Sequence, residues 1–257
     1  MKKILYSLCI LLIISEFSYS QGSGGTNAKF EYRQLIDLPT AGILEKGFTA
    51  VSLEIMPMGV LITKIDVGVF SGFNIGVSYG GGNIVGTGNI VWYKLPGVSL
   101  RGRIFDETSA IPAITIGFDS QGKGSFNSDV NRYEIKSPGF FAATSKNFEF
   151  LGYLSVHGII NYTLERDDDN KSINIGCGAE KTIGGKLSVI AEYNFAINDL
   201  GDKSFGKGNG YLNFGARWSV GDGLTLGINF RDLLENKKIV EYRADRGLFV
   251  EYVKSVF

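Results

Sequence analysis

Tyr211-Leu212-Asn213-Phe214-Gly215-Ala216-Arg217-Trp218-Ser219-Val220, followed after a tight Gly221-Asp222-Gly223 by Leu224-Thr225-Leu226-Gly227-Ile228-Asn229-Phe230-Arg231, alternates strictly between apolar and polar or tiny residues. Side chains on a β-strand point to opposite faces in turn, so each segment has one oily face and one polar face. Leu212, Phe214, Ala216, Trp218 and Val220 share the first, and Asn213, Arg217 and Ser219 share the second. Such a strand separates an apolar medium from a polar one.

The same period runs along most of the chain. Twelve strands follow, at roughly 48–57, 60–70, 73–80, 98–106, 111–119, 139–148, 151–164, 172–182, 186–197, 210–220, 223–233 and 246–256. The sixth has no clear phase. The connections sort by parity. The third, fifth, seventh, ninth and eleventh (81–97, 120–138, 165–171, 198–209 and 234–245) are long; the even-numbered ones are tight. An up-and-down meander in a membrane has this asymmetry when both ends of the chain lie on the periplasmic side. A sandwich with Greek-key crossovers has no reason to show it. The expected fold is therefore all-β, an up-and-down antiparallel transmembrane β-barrel of about 12 strands spanning 48–257. A soluble periplasmic β-sandwich that binds a ligand is the alternative fold.

Residues 1–20 read as an export signal. Lys2 and Lys3 precede the apolar run Ile4–Ile14, and Ser18-Tyr19-Ser20 forms a small-x-small cleavage site before Gln21. The run is too short to cross a bilayer as a helix. Losing Lys2, Lys3 and Glu16 with it leaves 24 basic and 25 acidic residues, a net charge of −1. That balance gives no strong attraction to nucleic acid. Cys177 is the one cysteine left after Cys9 goes with the signal, so no internal disulfide holds the exported chain. A closed backbone ladder supplies stability instead. Residues 21–47 form a Gly/Ser-rich start and a lead-in, Asp37-Leu38-Pro39-Thr40-Ala41-Gly42, expected to act as a cap or an inserted plug.

The alternation assigns addresses to charges. Lys64, Asp66, Arg101, Arg103, Asp119, His157, Glu180, Glu192, Arg217, Arg231 and Glu251 fall on the non-lipid face and are expected to line the lumen. Charges there must be paired or hydrated. Two arrangements satisfy this: a lumen plugged by interdigitated charges, or a narrow aqueous pore. Twelve strands lie between filled eight-stranded barrels and open sixteen-stranded porins. A plugged or very narrow lumen is preferred.

Candidate chemistry is sparse. Ser155 and His157 share a strand face, a spacing reminiscent of outer-membrane phospholipases, but they point inward and lack a third group to orient the imidazole. A hydrogen-bonded lumen histidine is the better reading. One histidine and one mature cysteine do not make a zinc site. Gly201–Gly208 nearly spells a phosphate loop, without the closing Ser/Thr or the helix, and reads as an outer loop. Asp167-Asp168-Asp169 reads as a solvated loop tip rather than a calcium site. The apolar loop 81–97, with Trp92-Tyr93, reads as folding into the lumen, packing on the rim or marking a binding surface. No catalytic residue, metal or cofactor is expected; an outer-membrane enzyme of lipase or protease type is the alternative function.

Pro112-Ala113-Ile114-Thr115-Ile116-Gly117-Phe118-Asp119-Ser120-Gln121-Gly122-Lys123-Gly124, with the later Ala143-Thr144-Ser145-Lys146-Asn147-Phe148, resembles the YjbH-like outer-membrane barrels associated with exopolysaccharide and capsule export. The resemblance covers mainly 98–165 and carries no catalytic motif. It implies a non-enzymatic barrel in a Gram-negative outer membrane, a narrow channel or surface component handling polysaccharide or small solutes. C-terminal Phe257 closing the last strand resembles the signal read by the barrel insertion machinery. The expected partners are thus that machinery, the outer-membrane bilayer and a polysaccharide or small solute. A barrel of this kind requires detergent for extraction and changes its gel mobility on boiling; a mature protein that is soluble and monodisperse without detergent overturns the reading.

Overall fold

A computed structural model describes residues 24–238 and 245–256. The expected export signal, residues 21–23 and 239–244, and Phe257 lie outside the described residues. Fifteen strands occur among those described: β1 (Phe48–Met56), β2 (Val60–Phe70), β3 (Phe73–Gly82), β4 (Val91–Trp92), β5 (Gly97–Phe105), β6 (Ala113–Asp119), β7 (Lys123–Asn127), β8 (Arg132–Ile135), β9 (Gly139–Glu149), β10 (Tyr153–Tyr162), β11 (Asn174–Ile183), β12 (Leu187–Asn194), β13 (Tyr211–Gly221), β14 (Leu224–Arg231) and β15 (Asp245–Ser255). Twelve build an antiparallel barrel in chain order. β4 is a short addition to the edge of β3, and β7–β8 is a separate hairpin. The ring closes where β1 pairs with β15, Phe48 opposite Ser255 and Ile55 opposite Leu248.

These strands form where the alternation places them. Outward positions carry Ile116, Phe140, Phe214, Trp218 and Leu248, all exposed. Inward positions carry Asn74, Ser99, Arg101, Thr115, Asn213, Arg217 and Glu251, all buried. A water-soluble protein hides its apolar side chains. This barrel reverses the rule, and a band of that extent belongs in lipid. Strand β9, ambiguous in sequence, resolves with Phe141, Ala143 and Ser145 inward.

Tight turns gather at one end. At 221–223, Asp222 and Gly223 take φ of 50° and 86°, the left-handed geometry that matches the twist of a tight hairpin. The long connections gather at the other end. Among them, the loop between β3 and β5 divides: Trp92 stacks outside on Tyr79, while Tyr93 turns inward onto Tyr133. Tyr93 and Tyr133 join Met56, Val60 and Ile62 in an apolar cluster beneath the β7–β8 hairpin.

Ile116 sits halfway along β6, half exposed on the apolar band. Ile116→Arg is expected to destabilise the barrel by about 2–4 kcal/mol in phospholipid vesicles, the cost of a guanidinium near a bilayer midplane. The denaturant midpoint of folding into vesicles reads this, and an unchanged midpoint means that water, not lipid, bathes that face.

Candidate functional site: a hairpin inside the barrel

Residues 24–47 occupy the barrel interior. The segment enters at the tight-turn end, where the amides of Thr26 and Asn27 donate to the carbonyls of Gly184 and Gly185, each at 3.0 Å. It rises to a turn closed by Leu35 N–H on the Leu38 carbonyl at 2.9 Å. It then descends and leaves where the Gly47 amide meets the Gly68 carbonyl at 2.8 Å. Its two arms bridge at Gln34 and Pro39 and run close together. Any Cβ on Gly42 would overlap the Tyr32 carbonyl, so the crossing requires glycine there.

A hairpin of so few residues cannot satisfy its own backbone, and the wall completes it. Glu192 is the clasp at the tip. Its carboxylate accepts the amides of Ile36 at 3.0 Å, Asp37 at 2.9 Å and Leu38 at 3.1 Å, and Asn213 Nδ2 at 2.7 Å. Arg217 donates to the Leu35 carbonyl at 2.9 Å. Arg101 donates to the carbonyls of Arg33 and Gly42 at 3.0 and 2.9 Å. Lower on the descending arm, Asn74 exchanges two bonds with Leu44, and Thr115 donates to the Ala41 carbonyl at 2.6 Å. Apolar wedges add to this. Leu35 and Ile36 pack on Ile190, Leu38 packs on Phe141 and Ile159, and Leu44 packs on Ala50 and Val253.

The hairpin's charged side chains meet opposite charges on the wall. Arg33 pairs with Glu251 and approaches Asp66 at 3.7 Å. Glu31 pairs with Arg103. Asp37 accepts from Arg231 Nε at 3.0 Å, and Arg231 also holds Glu54. Lys64 spans from Asp119 at 2.6 Å to Asp66 at 3.7 Å. Glu180 is held through Ser188, which also accepts the Gly25 amide at 2.8 Å. The structure places the ten charged residues and His157 read from the sequence on the inner face. Seven of them (Asp66, Arg101, Arg103, Glu192, Arg217, Arg231 and Glu251) touch the hairpin directly.

The tip also meets a second insert from the far end. Lys123, at the start of the β7–β8 hairpin, donates to the Ile36 carbonyl at 2.6 Å and pairs with Glu54 at 2.7 Å and Asp37 at 3.2 Å. Above it, Arg132 binds Asp168 at 2.7 Å and Asp199 at 2.6 Å and lies over the Phe205 ring at 4.4 Å. Lys136 pairs with Asp168 at 2.6 Å. Glu165 accepts the amides of Tyr133 and Ser137 at 2.9 and 2.8 Å. Burial raises the Glu165 pKa against those bonds and lowers that of Lys136. These contacts fasten three outer loops over the mouth. They also correct one sequence reading in part: Asp167 and Asp169 are exposed as expected of a solvated tip, but Asp168 is a buried partner of two cations.

The residual space is small. A cavity of about 30 Å3 lies beside the hairpin among Tyr32, Arg103, Ser155, His157 and Glu180. Another of about 40 Å3 lies between the tip and β8. Each has room for a few waters at most. The Ser–His idea finds no support in this geometry. His157 Nδ1 bonds Ser145 Oγ at 2.7 Å, and Ser155 donates instead to Asn147. Ser145 Oγ also accepts the Ala41 amide at 3.0 Å, so the imidazole is tied through Ser145 to the hairpin and not to Ser155. No group of three or more His, Cys, Asp or Glu suited to a metal occurs among the described residues.

No family model matches the chain, and no curated protein does. Solved structures do. The KdgM porin aligns with a TM-score of 0.52 at 13% identity, over 80% of this chain and 98% of that one. The shared fold is the closed twelve-stranded antiparallel β-barrel. The KdgM porin in complex with disordered oligogalacturonate gives 0.51 at 12% identity, over 80% and 98%. Omp33 of Acinetobacter baumannii gives 0.45 at 12%, over 81% and 98%. At such identities the likeness is one of fold. It overturns the YjbH-like expectation, since the neighbours are small porins. The motif that suggested that family has a packing reason. Ala113 is an inward residue of β6, and at Gly117 a Cβ would strike the Phe141 ring. A barrel strand facing a filled lumen calls for these residues without shared descent.

Glu54, Arg33, Asp37 and Lys123 are site residues the sequence reading missed, as is Asp245, which lies 3.9 Å from Arg231 and 3.5 Å from Lys237. Glu54 was within reach, since it shares a face with Ala50 and Ser52. Asp37 and Arg33 carry no periodic signal. Glu192→Gln keeps the shape of the clasp and removes its charge. It is expected to weaken the tip by roughly 1–3 kcal/mol, the difference between charged and neutral acceptors for several amides. Hydrogen exchange at Ile36, Asp37 and Leu38 is expected to accelerate while β11–β13 stay protected; equal protection in the variant means that the clasp is not what holds the hairpin.

Proposed function

We propose that this chain is a non-enzymatic outer-membrane channel for small hydrophilic solutes, exported by its leader and closed by its own N-terminal hairpin. The observation that carries the reading is the nature of the stopper. Residues 24–47 fill the lumen through hydrogen bonds, ion pairs and four apolar wedges, and their one covalent link to the wall is the chain running on into β1. They enter from the end with tight turns, which in an outer-membrane meander is the periplasmic end. A permanent core needs no separate insert; a polar wall behind a detachable insert suits a conditional pore. With the hairpin withdrawn, the wall presents Arg101, Arg217 and Arg231 beside Glu192, Glu54 and Glu251. That mixed lining favours neutral or zwitterionic polar solutes over ions of one sign. The solved complex of the KdgM porin with an oligogalacturonate makes short oligosaccharides reasonable first candidates.

Lumen residues 64, 66, 101, 103, 119, 157, 180, 192, 217, 231 and 251 are the proposed path lining, and Phe257 the proposed insertion signal. Planar-bilayer recording tests the gate. The intact protein is expected to be silent, and a variant lacking residues 24–46 to show discrete conductance steps. Stable steps from the intact protein, or silence from the deletion variant with heat-modifiable mobility retained, overturn the stopper.

A further inference from the structure

The hairpin leaves an open pocket at its base. About 450 Å3 lies between the entering arm (Ala28, Phe30), the start of β1 (Phe48), the tight turn 221–223 and the end of β15. That volume falls within the usual range of small-molecule sites. Its floor is apolar: Phe30 and Phe48 meet at 5.5 Å between ring centroids and pack on the Leu44, Ala50 and Val253 cluster. Its rim is basic. Lys29, Lys186 and Lys254 are exposed around it, and none forms an ion pair among the described residues. One carboxylate, Asp222, lies with them. The pocket is continuous with the outer face through Leu224 and exposed Tyr252, which belong to the apolar band.

The opposite sector of the same rim is unlike it. Around the turns 106–112 and 150–152 the charges balance and are bonded: Asp106 takes Arg103 at 3.3 Å, Glu107 takes Lys146 at 3.4 Å, and Lys181 donates to the Leu151 carbonyl at 2.9 Å near Glu149. Positive charge is therefore concentrated where the apolar floor is, and the floor is where the lipid-facing band ends. A ligand for this place needs an anionic head, an apolar portion and access from the bilayer edge.

We propose that this pocket binds an anionic phospholipid of the periplasmic leaflet, its phosphate among Lys29, Lys186 and Lys254 and its acyl chains along Leu224 and Tyr252. The site rests on the outer-membrane reading above. Because Lys29 and Phe30 belong to the entering arm, a lipid seated there holds the base of the hairpin against the wall. The stopper's foot is thus tied to the membrane that surrounds the barrel.

The test is native mass spectrometry of the full-length mature protein released from detergent with phosphatidylglycerol and phosphatidylethanolamine of identical chains. The intact protein is expected to retain phosphatidylglycerol preferentially. Lys186→Gln is expected to lower that retention about fivefold, the effect of one basic residue at an anionic surface. The triple change at Lys29, Lys186 and Lys254 to Gln is expected to abolish the preference. Lys203→Gln, a change at the opposite end of the barrel, is expected to leave it intact. Equal retention of both lipids, or full displacement of phosphatidylglycerol by millimolar inorganic phosphate, overturns the lipid site; the second result identifies a free-anion site instead. Heat-modifiable mobility, run on the same samples, separates the two claims. Its loss in the intact protein defeats the barrel reading, whereas its presence without lipid preference defeats the pocket alone.

Discussion

An inward-facing charge in a narrow barrel has nowhere to go. Lipid lies on the other side of the strand, and the lumen admits little water. An unpaired guanidinium or carboxylate there costs several kcal/mol. Arg101, Arg217, Arg231, Glu192, Glu54 and Glu251 all face that constraint. The wall pairs Arg231 with Glu54, but Arg101, Arg217, Glu192 and Glu251 find partners on the hairpin. Backbone brought in from outside the sheet solves the problem: its carbonyls serve the arginines, and its amides serve Glu192. The hairpin and the charges are therefore one device, neither stable without the other or without water.

The second insert follows the same logic from the other mouth. Lys123 reaches the tip of the first, Arg132 and Lys136 fasten the outer loops by Asp168 and Asp199, and Glu165 accepts the Tyr133 and Ser137 amides. Glu54 is the shared point, held by Arg231 from the wall and Lys123 from the insert. A disturbance of either insert is felt there first. Lys123 also touches the first insert directly, at the Ile36 carbonyl and Asp37, so the two inserts meet at one cation without a long chain of contacts between them.

Much of this was readable from the chain. Alternation located the twelve barrel strands to within a few residues and separated Phe214 from Arg217 correctly, because a strand between lipid and a polar lumen has no freedom in which face goes where. The β7–β8 hairpin was read as plain loop, since Lys123–Asn127 and Arg132–Ile135 face neither lipid nor a second sheet. The lead-in was marked by its composition, but Arg33 and Asp37 were invisible as partners of Glu251 and Arg231. Their pairing spans some two hundred residues of sequence and follows no period. Asp168 was misread for a related reason. An acidic loop tip looks solvated unless one knows that Arg132 folds over it.

Which contacts hold the stopper decides whether it can leave. Ion pairs broken on withdrawal are not lost outright, because the lumen then fills with water that hydrates both partners. Their net contribution shrinks toward that of exposed pairs, about 0–1 kcal/mol. The apolar wedges have no such compensation. Leu35, Ile36, Leu38 and Leu44 each give up about 1.5–3 kcal/mol when they pass into water. Most of the barrier to opening therefore resides in four side chains seated on Ile190, Phe141, Ile159 and Val253, with the Glu192 clasp adding to it at the tip, and the ion pairs chiefly set where the hairpin sits. A solute that offers those patches an apolar face competes directly with the wedges, whereas salt alone has little purchase on them.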